Sequence, residues 1–183
     1  MQAINRTAFF DHYRETWGPL TQGQVDGIEA ILTAMEADTA LTDIRWAAYM
    51  LGTVKRECGD EWKPIREYDR GHGRPYGIKD TETGHTYYGR GFVQLTWKGN
   101  YATMGKALGV DLLYNPDLAL DPTVAYRIMS YGMRNGSFTG VGLKKYINAE
   151  KCDYLNARRI INGLDCSKMI AGYATVLEAA LRG

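Results

Sequence analysis

Apolar positions recur at helical spacing through the first third of the chain. Ala8, Phe9, Tyr13 and Trp17 follow Asn5 or Thr7 as N-cap and stop at Gly18-Pro19, which predicts a first helix. Thr21 and Gln24 form a capping-box pattern ahead of Val25, Ile28, Ile31, Leu32 and Met35, the inner face of a second. A third is expected from near Thr42, with Ile44, Ala47, Ala48, Leu51 and Val54 inward, running to Arg56 and Glu57 until Gly59 and Pro64 disrupt it.

From Pro64 to Gly91 the texture changes. Eight glycines or prolines, few aliphatics and mixed charges describe an irregular loop or short hairpin region, the kind of segment that builds sites on a scaffold. Phe92–Thr96 is a short apolar segment, and a helix through Tyr101, Met104 and Leu108 then stops at Gly109. Asn115-Pro116-Asp117 turns the chain. Asp121-Pro122 opens a helix through Val124, Ile128 and Met129 toward Asn135-Gly136, and two more are expected at 155–161 and 167–181. No internal repeat or heptad array interrupts this. The pattern predicts one mainly α domain over 1–183 with a loop-rich insertion in its middle.

Composition narrows the function. Lys plus Arg total 22 against 21 for Asp plus Glu, so no general electrostatic drive toward nucleic acid or a membrane exists, and no nucleic-acid partner or stable membrane association is expected. The segment MQAINRTAFFDHYRETW holds only the apolar pair Phe9-Phe10, short of a signal peptide's run of about seven, so the expectation is a soluble protein without a secretion signal. Cys58, Cys152 and Cys166 cannot form a closed set of pairs and read as free thiols, with a Cys152–Cys166 bridge as the alternative. His12, His72 and His85 lack ligand-like spacing, so neither a metal nor an organic cofactor is expected.

Candidate chemistry lies where the third helix gives way to the loop. Glycosidic bond cleavage needs two carboxyls, one protonated to serve the leaving oxygen and one ionised. Glu57 ends the helix and Glu67 follows ten residues later. On an unbroken helix they would stand roughly 15 Å apart, beyond the ~6.5–9.5 Å of inverting hydrolysis. Pro64 is expected to bend the chain and bring them across a cleft. Asp60, Glu61 and Asp69 compete by spacing alone. A thiol nucleophile, Cys58 with His72 or His85, is a different chemistry open to the same stretch.

The segment YYGRGFVQLTWKGNY, residues 87–101, resembles the central signature of glycoside hydrolase family 19, the chitinases and phage endolysins of lysozyme-like fold. Residues 109–113, Asn115-Pro116-Asp117-Leu118 and Ile161-Asn162-Gly163 are similar to later stretches of that family, so the resemblance spans about 45–180. It implies Glu57 as general acid, Glu67 as general base and Thr96 as holder of the attacking water. It implies Gln94, Asn100 and Asn162 as hydrogen-bonding partners of an N-acetyl sugar, a task suited to uncharged amides. Each has a plainer reading: Thr96 as a helix cap, Gln94 and Asn100 as partners of buried backbone, Asn162-Gly163 as a helix stop. Arg56 stands where the family commonly has His, and Leu164 where it has a second glycine.

The expectation is an inverting, monomeric hydrolase of bacterial peptidoglycan or another N-acetylhexosamine polymer. As an endolysin it would be held in the host cytoplasm and released to the cell wall or periplasm through a membrane lesion. Chitin hydrolysis, or non-catalytic wall binding, is the alternative.

Overall fold

The computed structural model describes residues 3–183. Seven α-helices account for nearly half of them: α1 (Arg6–Trp17), α2 (Gln22–Ala37), α3 (Ile44–Glu57), α4 (Lys98–Leu108), α5 (Pro122–Asn135), α6 (Tyr154–Ala157) and α7 (Ser167–Arg182). Two-residue strands β1 (Ile65–Arg66) and β2 (Arg90–Gly91) pair antiparallel, Ile65 opposite Gly91. The fold is mainly α, as the apolar periodicity predicts.

Local chemistry sets most boundaries. Asn5 accepts from the Ala8 N–H, and Thr21 with Gln24 closes a reciprocal capping box. Asp121 caps α5 ahead of Pro122, while Gly109 and Gly136 end α4 and α5 in the left-handed conformation. Asp43, one residue past the expected start, caps α3. The helix expected over 155–161 is one turn of α-helix, α6, continued as a 3-10 turn over 158–160.

Helix α3 runs through the middle of the core. Every residue from Ala47 to Lys55 is buried, and its longest packing contact is with α7. Lys55 is enclosed with its charge: the ammonium donates to the Tyr13 hydroxyl at 2.9 Å, pairs with Asp60, and faces the rings of Tyr13, Trp17 and Tyr173 at 5.0, 4.4 and 5.3 Å.

That pairing bears on the turn after Glu57, which comes earlier than Pro64. Helix α3 ends at Glu57, and Gly59, Asp60 and Trp62 take φ of 57°, 65° and 54°. Left-handed φ at two non-glycine residues costs energy, and tertiary partners hold them there. Lys55 grips the Asp60 side chain, Gln24 donates to the Asp60 carbonyl at 3.0 Å, and the Trp62 indole donates to Tyr13 at 3.3 Å. The reversal thus rests on α1, α2 and α3, and proline only follows it.

Candidate active site

A cavity of about 350 Å³ opens between the end of α3, the segment before α4 and the 158–162 turn. Glu57, Gln94, Thr96, Asn100 and Asn162 all line it, which brings together five of the six residues expected from the sequence. Arg158, Tyr76 and Trp97 complete its polar and aromatic wall.

Glu57 sits at the last turn of α3 with its side chain 19% exposed. Its cation is Arg158, which donates Nη1 to Oε1 at 2.7 Å and is itself anchored by Nε to the Asp165 carbonyl at 3.0 Å. Arg158 is buried. Arg56, the residue beside Glu57 in sequence, is exposed and turned toward Cys166. Side chains one apart on a helix point in different directions, so the adjacent arginine is not the partner.

Glu67 follows β1 and is not among the residues lining this cavity; it meets it through Tyr76. Its backbone N–H donates to the Gly89 carbonyl at 2.7 Å, continuing the β1–β2 pairing by one residue. Its carboxylate accepts from the Tyr76 hydroxyl at 2.8 Å and from the Gly89 N–H at 3.1 Å. A Cβ at position 89 would lie 2.8 Å from Gln94 Oε1 and 3.4 Å from the Glu67 Cβ, so only glycine lets these side chains close over the strand.

Thr96 lies between two strained residues. Gln94 has φ 53° and Trp97 φ 77°, conformations that L side chains adopt only when surroundings fix them. Gln94 Nε2 donates to the carbonyls of Ile65 and Gly91, each at 3.1 Å, and the Trp97 N–H donates to Tyr87 at 2.9 Å. The Thr96 hydroxyl donates to the Gln94 carbonyl at 2.7 Å. It does not cap α4: Trp97 holds the N-cap position and no side chain bonds there.

The amides divide. Gln94 does hold backbone, as one reading of the sequence expected, and Asn100 Nδ2 likewise donates to the Thr96 carbonyl at 2.8 Å. Both also line the cavity. Asn162 is exposed, its side-chain oxygen accepts from the N–H of Gly163, and Gly163 lacks the left-handed φ of a helix stop.

Arg90 of the central signature is structural. Buried, it stacks 3.6 Å from the Tyr88 ring centre and donates to the Thr86 and Tyr88 carbonyls, to the Tyr101 hydroxyl and to Asp117. Cys58 is buried, and burial pushes its thiol up to about 12, which leaves no thiolate at neutral pH. The three cysteines are free, so Cys152 and Cys166 do not pair. Among the described residues no cluster of His, Cys, Asp or Glu is placed to hold a metal ion, and no helix is long and apolar enough to cross a membrane.

The fold is mainly helical and of the lysozyme-like type. Residues 66–135 match the family model for class I chitinases of glycoside hydrolase family 19. Endochitinase 1 of Theobroma cacao is 58% identical over 45 residues, 24% of this chain and 14% of that protein. Inactive chitinase-like protein 1 of Hevea brasiliensis is 53% identical over 45 residues, with the same coverage of both chains. The chain thus spans about one seventh of the length of the curated relatives it matches. Chitinase C from Streptomyces griseus superposes with a TM-score of 0.67 at 22% identity, over 98% of this chain and 77% of that one. A class IV chitinase from Zea mays gives 0.61 at 16% identity, over 100% and 94%. The chain is thus similar to class I chitinases over residues 66–135 and shares the fold of solved chitinases over nearly its whole described length.

Proposed function

We propose that the chain hydrolyses β-1,4 bonds of an N-acetylhexosamine polymer with inversion at the anomeric carbon. The observation that supports this best is the convergence of Glu57, Thr96 and three amides on one cavity, with Glu67 tied to its wall through Tyr76. Glu57 protonates the leaving oxygen as the bond from C1 breaks. Water adds to the opposite face of C1 while Glu67 takes its proton. The Thr96 hydroxyl has committed its proton to the Gln94 carbonyl, so it offers lone pairs alone. It accepts from one O–H of the water and leaves the water's own lone pair free to attack. After proton transfer Glu57 is an anion, and Arg158 is already in place to stabilise it.

Peptidoglycan is the substrate in this proposal, on the resemblance to endolysin-type members of the family. In that setting the enzyme waits in the host cytoplasm and reaches the wall through a membrane lesion made by another protein. Chitin is the second reading, favoured by the endochitinases among the relatives. Digestion of purified peptidoglycan and of N-acetylglucosamine hexamer side by side, with mass spectrometry of the new reducing ends, tests both. Release from peptidoglycan by the parent and not by Glu57→Gln supports the proposal; cleavage of the hexamer alone selects chitin. Binding of either polymer without release, by parent and variant alike, overturns the hydrolase reading in favour of a wall-binding protein.

A further inference from the structure

A carboxylate that takes a proton from water must point in one direction, and the last torsion of a glutamate is broad and roughly two-fold. Glu67 is fixed by two donors, one to each oxygen: the Gly89 N–H from β2's end of the hairpin and the Tyr76 hydroxyl from across the loop. Each oxygen keeps a lone pair for a further partner. Burial, and then the carboxylate itself, push the Tyr76 phenol above its ordinary range, so it stays a donor throughout the neutral region.

The loop that carries Tyr76 is built to hold it still. Gly71 and Gly77 touch backbone to backbone: a Cβ at 77 would lie 1.9 Å from the Gly71 carbonyl oxygen, and one at 71 would lie 2.8 Å from the Gly77 Cα. The Tyr76 carbonyl accepts from the Tyr87 N–H at 3.0 Å, and its ring meets Trp97 edge to face at 5.1 Å. Further along, Lys98 ties Asp80 and Glu82 to the start of α4 at 3.0 and 2.7 Å. Trp97 and Lys98 directly follow Thr96. The loop is thereby clamped to the same short segment that carries the water-holding residue.

We infer that Tyr76 is a positioning residue for Glu67, delivered by the Gly71–Gly77 crossing and registered against Trp97, so that the base and Thr96 are set relative to each other through one aromatic contact. This rests on the reading of Glu67 as the base. Tyr76 touches the carboxylate and acts through it.

Tyr76→Phe removes the donor and keeps the ring against Trp97. The expected result is a kcat lower by roughly tenfold, with KM within about twofold and an unchanged melting midpoint, the pattern of an interaction made only in the transition state. Gly77→Ala, which alters no functional group, gives the same kcat loss by displacing Tyr76. An unchanged kcat in Tyr76→Phe overturns the inference, as does a raised KM at full kcat, which would make Tyr76 a sugar ligand. The carboxyl carbon of Glu67, followed by NMR with 13C-labelled glutamate and assigned with Glu67→Gln, reads the same contact without activity. Its shift moves in Tyr76→Phe if Tyr76 orients it, and an unmoved shift overturns the inference. A parent that cleaves neither polymer while the shift still moves refutes the hydrolase proposal and leaves the positioning contact standing.

Discussion

Arg158 and Glu57 stand 101 residues apart in the chain and meet at 2.7 Å, the arginine buried and the glutamate partly open to the cleft. The guanidinium fork spends Nε on the Asp165 carbonyl and Nη1 on the carboxylate. It therefore couples the 158–165 turn to the end of α3 in a single rigid group.

Arg158→Lys keeps the charge and cannot serve both acceptors at these angles. We expect hydrolysis to fall at least about tenfold with the fold retained. Arg158→Ala leaves Glu57 unpaired in a partly buried place and costs about 3 kcal/mol. Thermal melts of both variants beside reducing-end assays separate the positional loss from the stability loss.

Thr96→Ser preserves the hydroxyl, so activity within about threefold of the parent is expected, whereas Thr96→Val removes both lone pairs and should cost roughly a hundredfold in kcat. Valine matches threonine in shape. Equal rates for the serine and valine variants would show that the hydroxyl takes no part.

Cys58 lies with Sγ 3.9 and 3.8 Å from the Gly91 and Phe92 carbonyls, too buried to ionise. Cys58→Ser is expected to retain activity at a stability cost of about 1–2 kcal/mol. Loss of hydrolysis in a folded Cys58→Ser protein would restore the thiol-nucleophile chemistry.

Acid stability has an identifiable contributor. Arg6 donates twice to Glu36 at 2.8 Å and the Ile4 N–H adds a third bond at 2.6 Å, which holds the carboxyl down at about 2 from an ordinary 4.5. A depressed folded pKa stabilises above the unfolded value and is lost as pH falls through the folded one. Glu36→Gln should therefore melt lower than the parent at pH 7, by roughly 1 kcal/mol given the partial exposure of the pair. The gap should close between about pH 4.5 and pH 2. Melting curves across that window measure it, and a constant gap would contradict the assignment.

The parts of this protein legible in its sequence are those written locally. Asn5, the Thr21–Gln24 box, Asp121-Pro122, Gly109 and Gly136 mark helix ends by chemistry confined to a few residues. Gln94, Thr96 and Asn100 stand in one contiguous motif, so the resemblance carries them together. Of the turn after Glu57 only the break at Gly59 was legible, because left-handed Asp60 and Trp62 are held by Gln24, Tyr13 and Lys55, two of them on other helices. Arg158 gave no signal either: it reads as one of two adjacent arginines until the fold sets it against the Asp165 carbonyl and Glu57. Tyr76 was hidden in a loop without periodicity. Trp97 at the N-cap position displaced Thr96 from the capping role that helix rules would assign, since the segment's strain is set by Gln94 and Tyr87.

The two-residue ladder between β1 and β2 is short, and its position gives it reach. It brings Ile65 opposite Gly91 and so closes the neck of everything between them. Changes within that excursion that spare Glu67, Tyr76 and the Gly71–Gly77 crossing leave its two ends in the same place, with Glu67 beside Gly89. Such changes would alter the loop's outer surface while Glu67 keeps its register against Gly89 and Tyr76.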